Sequence, residues 1–250
     1  MPESLDPAAR LHGLLDNCKL GNGGVRTGAQ WAAYLDVDEE SVDYIQAVAQ
    51  LALLPGQVRA AFASLRDTGV TIPYDFFLEP LPAIENAIYY GVQNQSGQLV
   101  HFIQRYSDAQ VDRILSASAL LKDHTAPPVD ATDLLSTVAS TADELSTLLA
   151  DDTTLEPNVR DLLYALADGL RRTAQTFKMT GPEGVARERD LLVGRLAASS
   201  GLRENVGRHN NVVALITRFL KGTERVSSFF NTAVEAGDGV DNIIQAITAG

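Results

Sequence analysis

The sequence predicts an all-α protein, and three observations support this fold class. Apolar residues recur at intervals of three and four along most of the chain, which is the spacing of one helix face. Glycines and prolines stand largely between these periodic stretches, where helices end. The apolar content of 45% is enough to build a hydrophobic core.

The longest periodic stretch occupies the C-terminal fifth of the chain, from Leu202 to about Ala249. Its apolar positions are Val212, Val213, Ile216, Phe219, Leu220, Val226, Phe229, Phe230, Ala233, Val234, Val240, Ile243, Ile244 and Ile247. A stripe this long must be buried, first of all against other helices of the same bundle. It can also mediate oligomer formation or insert into a membrane, with Phe219, Phe229 and Phe230 as the contacting residues.

Composition divides the chain into two helical regions. Residues 1–123 are expected to form an acidic region of short helices. Residues 131–250 are expected to form an up-down helical bundle that includes a long C-terminal amphipathic helix. Residues 124–130, which contain Pro127 and Pro128, are the predicted linker.

Four helices are expected before residue 70. Their predicted ranges are 7–20, 27–35, about 38–54 and 57–65. The glycine-rich segment after Leu20 ends the first helix, and Asp36 or Asp38 can cap the third. Pro55-Gly56 is expected to separate the third helix from the fourth.

Residues 70–106 allow more than one assignment. Three prolines exclude a continuous helix between residues 70 and 82, where an aromatic cluster is expected to enter the core. Residues 84–106 fit helices, and they also fit a hairpin that turns at Ser96-Gly97. The three- and four-residue spacing continues on both sides and favours helices. Ser107 to Gln110 has the pattern of a capping box, which predicts that the next helix starts there.

The second half of the chain predicts helices at 134–149, 157–177 and 185–198, followed by the C-terminal stretch. Pro157 suits the first turn of its helix. Gly181-Pro182 is expected to restart the chain. Gly237-Asp238-Gly239 is expected to end the long C-terminal helix and to leave residues 240–247 as a separate one.

The net charge of −12 makes nucleic acid and anionic lipid unfavourable partners for the surface as a whole. The charge is unevenly distributed. Residues 1–159 carry 8 basic and 22 acidic side chains, whereas residues 160–225 carry 12 and 7. Such an asymmetry suits self-association or docking of one half on the other.

Cysteine usage and the termini indicate a cytoplasmic protein. Cys18 is the only cysteine, so an intramolecular disulfide is impossible and a reducing compartment fits. No signal peptide and no apolar stretch long enough for a membrane helix is found in the sequence. The ratio of 16 arginines to 4 lysines is typical of a GC-rich bacterial or phage genome.

The sharpest local pattern lies at residues 27–46. Thr27 caps a short helix, Ala32 is small enough for a helix crossing, and Val37 is an apolar turn residue. Val42 is expected to point inward from the second helix. This pattern resembles a helix-turn-helix, a motif that places its second helix in the DNA major groove.

The same segment departs from that motif where DNA would bind. Asp36 occupies the turn position that is usually glycine, and the second helix begins in an acidic cluster without lysine or arginine. Phosphates would meet like charge there. We therefore expect a corner that contacts protein, with Glu39, Glu40 and Asp43 as its partner-binding residues.

Motifs that carry chemistry are weak. Gly21 to Thr27 lacks the lysine of a phosphate loop and follows a helix instead of a strand. Cys18 lies in an apolar helix pattern, where burial suppresses thiolate formation. None of the histidines is spaced as a metal-binding pair; they are His12, His101, His124 and His209. We expect no catalytic residues, no metal and no cofactor.

The densest polar cluster of the second half is Arg208 to Asn211. It fits a polar layer inside a helical bundle, and it also fits a functional site. An enzyme would need His209 or His101 to meet carboxylates in a pocket.

Taken together, the sequence predicts a non-catalytic helical subunit for protein interaction or oligomerisation, in a bacterial or phage assembly. Its partner is a protein, either a second copy or another chain. The alternatives are a nucleic-acid-linked regulator that uses residues 27–46 and a membrane-active effector that uses the C-terminal helices.

Overall fold

The structure is a computed structural model in which residues 6–124, 131–223 and 236–248 are described. The protein is all-α: the described residues form helices and no strand, with one isolated bridge between Arg26 and Gln98. Backbone contacts divide the chain into two compact units. The first contains residues 1–128 and 178–181, and the second contains residues 129–177 and 182–250. The predicted linker 124–130 lies almost entirely outside the described residues.

Seven helices of the first unit lie among the described residues, and both α1 and α3 contact most of the others. Their bounds are α1 Pro7–Leu20, α2 Thr27–Leu35, α3 Val42–Asp67, α4 Tyr74–Leu78, α5 Leu81–Gln93, α6 Leu99–Ile103 and α7 Asp108–His124. Helix α1 packs against α3 and α7, and also contacts α2 and α6. Its side chains Leu11, Leu14 and Leu15 are fully buried, so α1 forms the centre of this core.

Helix α3 corrects the expected break at Pro55-Gly56. The helix runs through both residues without interruption. A proline inside a helix removes one hydrogen bond and costs about 3 kcal/mol. Burial offsets this cost here, because Leu51, Leu54 and Val58 are fully buried on the two sides of the proline.

Two helix N-termini form as their sequence patterns predict, and a third is capped by a different residue. The capping box is formed: the Ser107 backbone N–H donates to Gln110 Oε1 at 2.9 Å, and the Gln110 N–H donates to Ser107 Oγ at 3.3 Å. Pro157 occupies the first helical position of the helix that begins there. The third helix is capped by Ser41, not by Asp36 or Asp38, because the Ser41 side chain accepts from the Tyr44 N–H.

Residues 84–106 are helical, so the hairpin alternative is wrong. Helices α5 and α6 are joined by a turn at residues 94–98 that pairs with the segment before α2. The Leu99 N–H donates to Val25 O at 2.8 Å, and the Thr27 N–H donates to Gly97 O at 2.9 Å. In the aromatic cluster, Phe77 stacks on buried Phe62 with 5.6 Å between ring centroids. No side chain of α4 is itself buried and Phe76 is 48% exposed, so the cluster covers the edge of the core and does not enter it as expected.

The second unit is built around α8 and α9. Its described helices are α8 Ala131–Asp151, α9 Pro157–Gln175, α10 Phe177–Ala198, α11 Ser200–Gly207, α12 Asn210–Thr223 and α13 Ala236–Thr248. Residues 178–181 of α10 belong to the first unit. Within α10 the backbone turns at Gly181, where φ is 55°. This left-handed value favours glycine and agrees with the predicted restart at Gly181-Pro182.

The C-terminal stretch is not one long amphipathic helix. It is interrupted at Arg208 and His209 between α11 and α12. Gly237 to Gly239, which were expected to break the helix, lie inside α13 instead. Residues 224–235 lie outside the described residues. Helix α12 packs against α8, α11 and α13, so its apolar stripe is covered at least in part by its own unit.

Candidate interaction surface on α3

Helix α3 is apolar on two opposite sides. Its inner side is buried in the first unit through Tyr44, Ala47, Leu51, Leu54 and Val58. A helix that is apolar all round is normally buried all round. The outer side of α3 is nevertheless exposed, and it is the feature of the first unit that most needs a functional explanation.

We call this exposed side the α3 outer face. It comprises Val42, Ile45, Ala49, Ala52, Leu53, Gly56 and Ala63. The spacing of three and four residues places these positions along one side of the helix. Val42 is 68% exposed, Ile45 67% and Leu53 54%. Single exposed apolar side chains are ordinary, but a continuous row of them marks an interaction site.

Val42 corrects an expectation. The sequence pattern of residues 27–46 places it inward, but it begins α3 on the exposed side. Tyr44 reaches the core instead, two residues further along, and is 2% exposed. A shift of two residues turns a helical position through more than half a revolution, which accounts for the reversed orientation.

The predicted acidic residues lie beside the N-terminal end of this face. Glu39 is engaged, because its Oε2 accepts from Arg26 Nη2 at 2.7 Å. Burial and the Glu39 carboxylate together raise the pKa of Tyr44 to about 12, although Arg26 opposes them. Glu40 is exposed in the turn before α3, and Asp43 is half-exposed in the first turn of α3. Glu40 and Asp43 therefore remain available to a partner, whereas Glu39 is already paired with Arg26.

The corner joins α2 to α3, which contact each other, through residues 36–41, a longer connection than the tight turn that the pattern predicts. Asp36 adopts the left-handed conformation with φ 60°, and the Val37 N–H donates to Ala32 O at 3.1 Å. Ala32 is buried. The outward side of the second helix carries no arginine or lysine from Val42 as far as Val58. This surface offers a phosphate backbone no positive charge over four turns.

The glycine-rich segment before α2 is occupied by backbone hydrogen bonds. Thr27 donates to Gly97 O through its N–H and through its hydroxyl, the latter at 3.2 Å. The Gly28 N–H donates to Gln95 O at 2.9 Å. These amides begin α2 and would be the donors to a bound phosphate. They are already satisfied by the 94–98 turn.

The polar cluster of the second unit, Arg208 to Asn211, contacts Glu156, and these contacts link the N-terminus of α12 to the N-terminus of α9. His209 Nε2 lies 2.6 Å from Glu156 Oε2, and Glu156 precedes the first residue of α9. Arg208 also approaches Glu156, at 3.6 Å, and pairs with Glu204 at 2.8 Å. The hydrogen bond from His209 lowers the pKa of the Glu156 carboxyl, with smaller help from Arg208. These contacts connect the start of α12 to the start of α9.

A cleft of about 940 Å³ lies between α8 and α12 in the same unit. Charged residues in its lining include Asp143, Glu144, Asp151, Asp152 and Arg218. Arg218 forms an ion pair with Glu144 across the cleft. His209 and Glu156 do not line it. In the described segments, no three His, Cys, Asp or Glu side chains are grouped so that they could hold a metal ion.

The remaining predicted residues have clear positions. Cys18 is buried, and desolvation raises the pKa of its thiol to about 12. Phe219 is fully buried in α12 and has no surface to offer a partner, which corrects its assignment as a partner-binding residue. Phe229 and Phe230 lie outside the described residues. None of the described helices is long and apolar enough to cross a membrane.

Comparisons with protein families, curated proteins and solved structures find no match to this chain.

Sequence reasoning identified the acidic end of the α3 outer face but missed its apolar row. The available indication was the uncharged run from Tyr44 to Val58, which has apolar residues on both sides of a helix. The expected break at Pro55 divided this run between two short helices and hid it.

Proposed function

We propose that this chain is a non-catalytic helical interaction protein and that its contact surface is the α3 outer face, bordered by Glu40 and Asp43. The observation that carries the proposal is the exposed apolar row on α3, whose opposite side is buried in the core of the first unit. A bacterial or phage cytoplasmic assembly would suit such a subunit.

The chemistry of the surface favours a protein partner. Covering an exposed Val, Ile or Leu side chain contributes about 1–2 kcal/mol, so the three large side chains together contribute several kcal/mol. The acidic residues at one end would repel nucleic acid and anionic lipid. A gel shift at low salt tests the nucleic-acid alternative, which predicts a retarded band at micromolar protein.

Position-specific photo-crosslinking tests the proposal. A benzophenone amino acid replaces Ile45 in one sample and Tyr89 in a control sample; these side chains are 67% and 64% exposed. The labelled protein is irradiated alone and in a lysate of the organism that encodes it. We expect covalent adducts from position 45 at several times the yield from position 89.

A charge-reversal variant sharpens this experiment. Glu40→Lys combined with Asp43→Lys should reduce the adducts from position 45, because it changes the end of the surface without touching the buried side of α3. Equal adduct yields at positions 45 and 89, or no adduct from position 45, would contradict the proposed contact surface.

A further inference from the structure

We propose that the partner on the α3 outer face is a second copy of this chain, and that the two α3 helices pair antiparallel about a two-fold axis near Ala52 and Leu53. This inference rests on the proposed function, since it names the occupant of the same surface. A two-fold pair uses one patch twice, so the face must be complementary to itself in reversed direction.

The sizes of the side chains meet that condition. The large residues Val42 and Ile45 lie in the N-terminal part of the face, and the small residues Gly56 and Ala63 lie in the C-terminal part. Antiparallel pairing about residues 52 and 53 places Val42 opposite the second copy's position 63. It also places Ala49 opposite position 56. Val42 then meets Ala63 and Leu53 meets Ala52, which is how packed helices interdigitate, whereas Ala49 and Gly56 are both small and let the two backbones approach closely.

Gly56 supplies a separate argument. A Cβ built on Gly56 would meet no atom within 4 Å, so nothing in its own chain requires glycine there. Glycine in the interior of a helix lowers the stability of the helix relative to alanine. A glycine that follows Ala49 and Ala52 on the same exposed side is explained by the close approach of another helix backbone.

The charges along α3 select the direction of pairing. The N-terminal end carries the acidic residues Asp38, Glu40 and Asp43, and the C-terminal end carries Arg66 beside Asp67. Arg66 is exposed, with its guanidinium carbon 4.6 Å from the centroid of the Tyr74 ring. Parallel helices would bring two acidic ends together. Antiparallel helices separate them and bring Glu40 towards the second copy's position 66, where opposite charges attract.

Sedimentation equilibrium of the full chain tests the association. We expect a mass that rises with concentration towards twice the chain mass of 26.9 kDa. Gly56→Gln should weaken the dimer at least ten-fold while leaving the monomer folded, because glutamine is a better helix former than glycine. At 0.15 M salt, where repulsion between the net charges is screened, Glu40→Arg and Arg66→Glu should each weaken the dimer, and the double variant should recover part of the loss.

Single-cysteine crosslinking tests the direction. Buried Cys18, whose thiol pKa is raised to about 12, contributes little background. Leu53→Cys lies next to the proposed axis and should form an intermolecular disulfide under mild oxidation. Ile45→Cys should not, because a rise of 1.5 Å per residue separates the two copies of position 45 by about 22 Å along the pair.

Three outcomes would overturn the proposed antiparallel pair of α3 helices. They are a monomer at all accessible concentrations, disulfides at both position 45 and position 53, which require parallel helices, and a dimer that Gly56→Gln leaves unchanged. A monomer that still forms position-45 adducts with a different protein rejects the second copy but keeps the proposed interaction surface. A monomer without such adducts rejects both.

Discussion

At the scale of single residues, Gly91 is a position where the core requires glycine. A Cβ built there would lie 2.5 Å from Cη2 of Trp31, a side chain that is fully buried. Trp31 is also held edge-on against Phe102, with 5.4 Å between ring centroids. The rigid indole cannot move aside without disturbing this aromatic contact.

We therefore expect Gly91→Ala to lower the free energy of unfolding by about 1–3 kcal/mol, because overpacking outweighs the roughly 1 kcal/mol that alanine gains in helix propensity. Urea unfolding followed by tryptophan fluorescence measures it, since Trp31 is the only tryptophan and reports on the first unit. Gly56→Ala is the matched control at protein concentrations where the chain is monomeric, and there it should raise stability by about 0.5–1 kcal/mol. A Gly91→Ala variant as stable as the parent protein would show that the indole has room to shift.

Glu188 is a carboxylate whose surroundings favour its protonated form. Burial is the main cause that raises its pKa, and Asp168 adds to it, while Arg172, Arg187 and Arg195 act in the opposite direction. Because the folded-state pKa lies above the unfolded one, ionised Glu188 reduces stability at neutral pH. The reduction disappears as the pH falls through the folded-state pKa.

Glu188→Gln should therefore raise the thermal midpoint at neutral pH, and the gain should vanish as the pH is lowered towards about 4. Circular dichroism at several pH values measures both midpoints. Glu204→Gln serves as the control, since Glu204 is an exposed partner of Arg208 in an i,i+4 pair and should give no such gain. A gain that is independent of pH would point to packing and not to the charge.

At the scale of helices, the sequence predicted those helix ends that neighbouring residues determine, but it did not predict those that packing against distant residues determines. The capping box at Ser107 and the helix start at Pro157 depend on neighbouring residues only, so their sequence patterns predicted them correctly. Pro55 failed as a breaker because the surrounding leucines bury enough apolar surface to carry the helix through it. The break at Arg208 and His209 was also missed; there His209 contacts Glu156, more than fifty residues away in sequence, and a local pattern cannot show such a contact.

The candidate surface illustrates the same limit. Periodicity shows which helix positions are apolar, but α3 is apolar on two sides and only tertiary packing decides which side is covered. The acidic end at Glu40 and Asp43 was predictable because charge is visible in sequence. The apolar row beside it could not be predicted, because only the structure shows that Tyr44, and not Val42, enters the core.

At the scale of the whole molecule, net charge opposes the pairing that α3 favours. Each copy carries −12. For two such charges about 40 Å apart, repulsion is on the order of 4 kcal/mol at 0.01 M salt and about 0.1 kcal/mol at 0.15 M. Exposed ion pairs at the ends of α3 contribute only about 0.2–1 kcal/mol each. The long-range repulsion is therefore the larger of the two salt-dependent effects.

We expect the proposed dimer to tighten as salt is added, by at least ten-fold between about 0.01 and 0.15 M, since screening removes more repulsion than attraction. Sedimentation equilibrium at the two salt concentrations measures this change. Sodium and potassium chloride should act equally, because screening depends on ionic strength and not on ion identity. Association that weakens with salt would mean that the contacts of Glu40 and Arg66 outweigh the net charge. Nucleic-acid binding would weaken in the same range, so the sign of the salt effect also separates a protein partner from an anionic polymer.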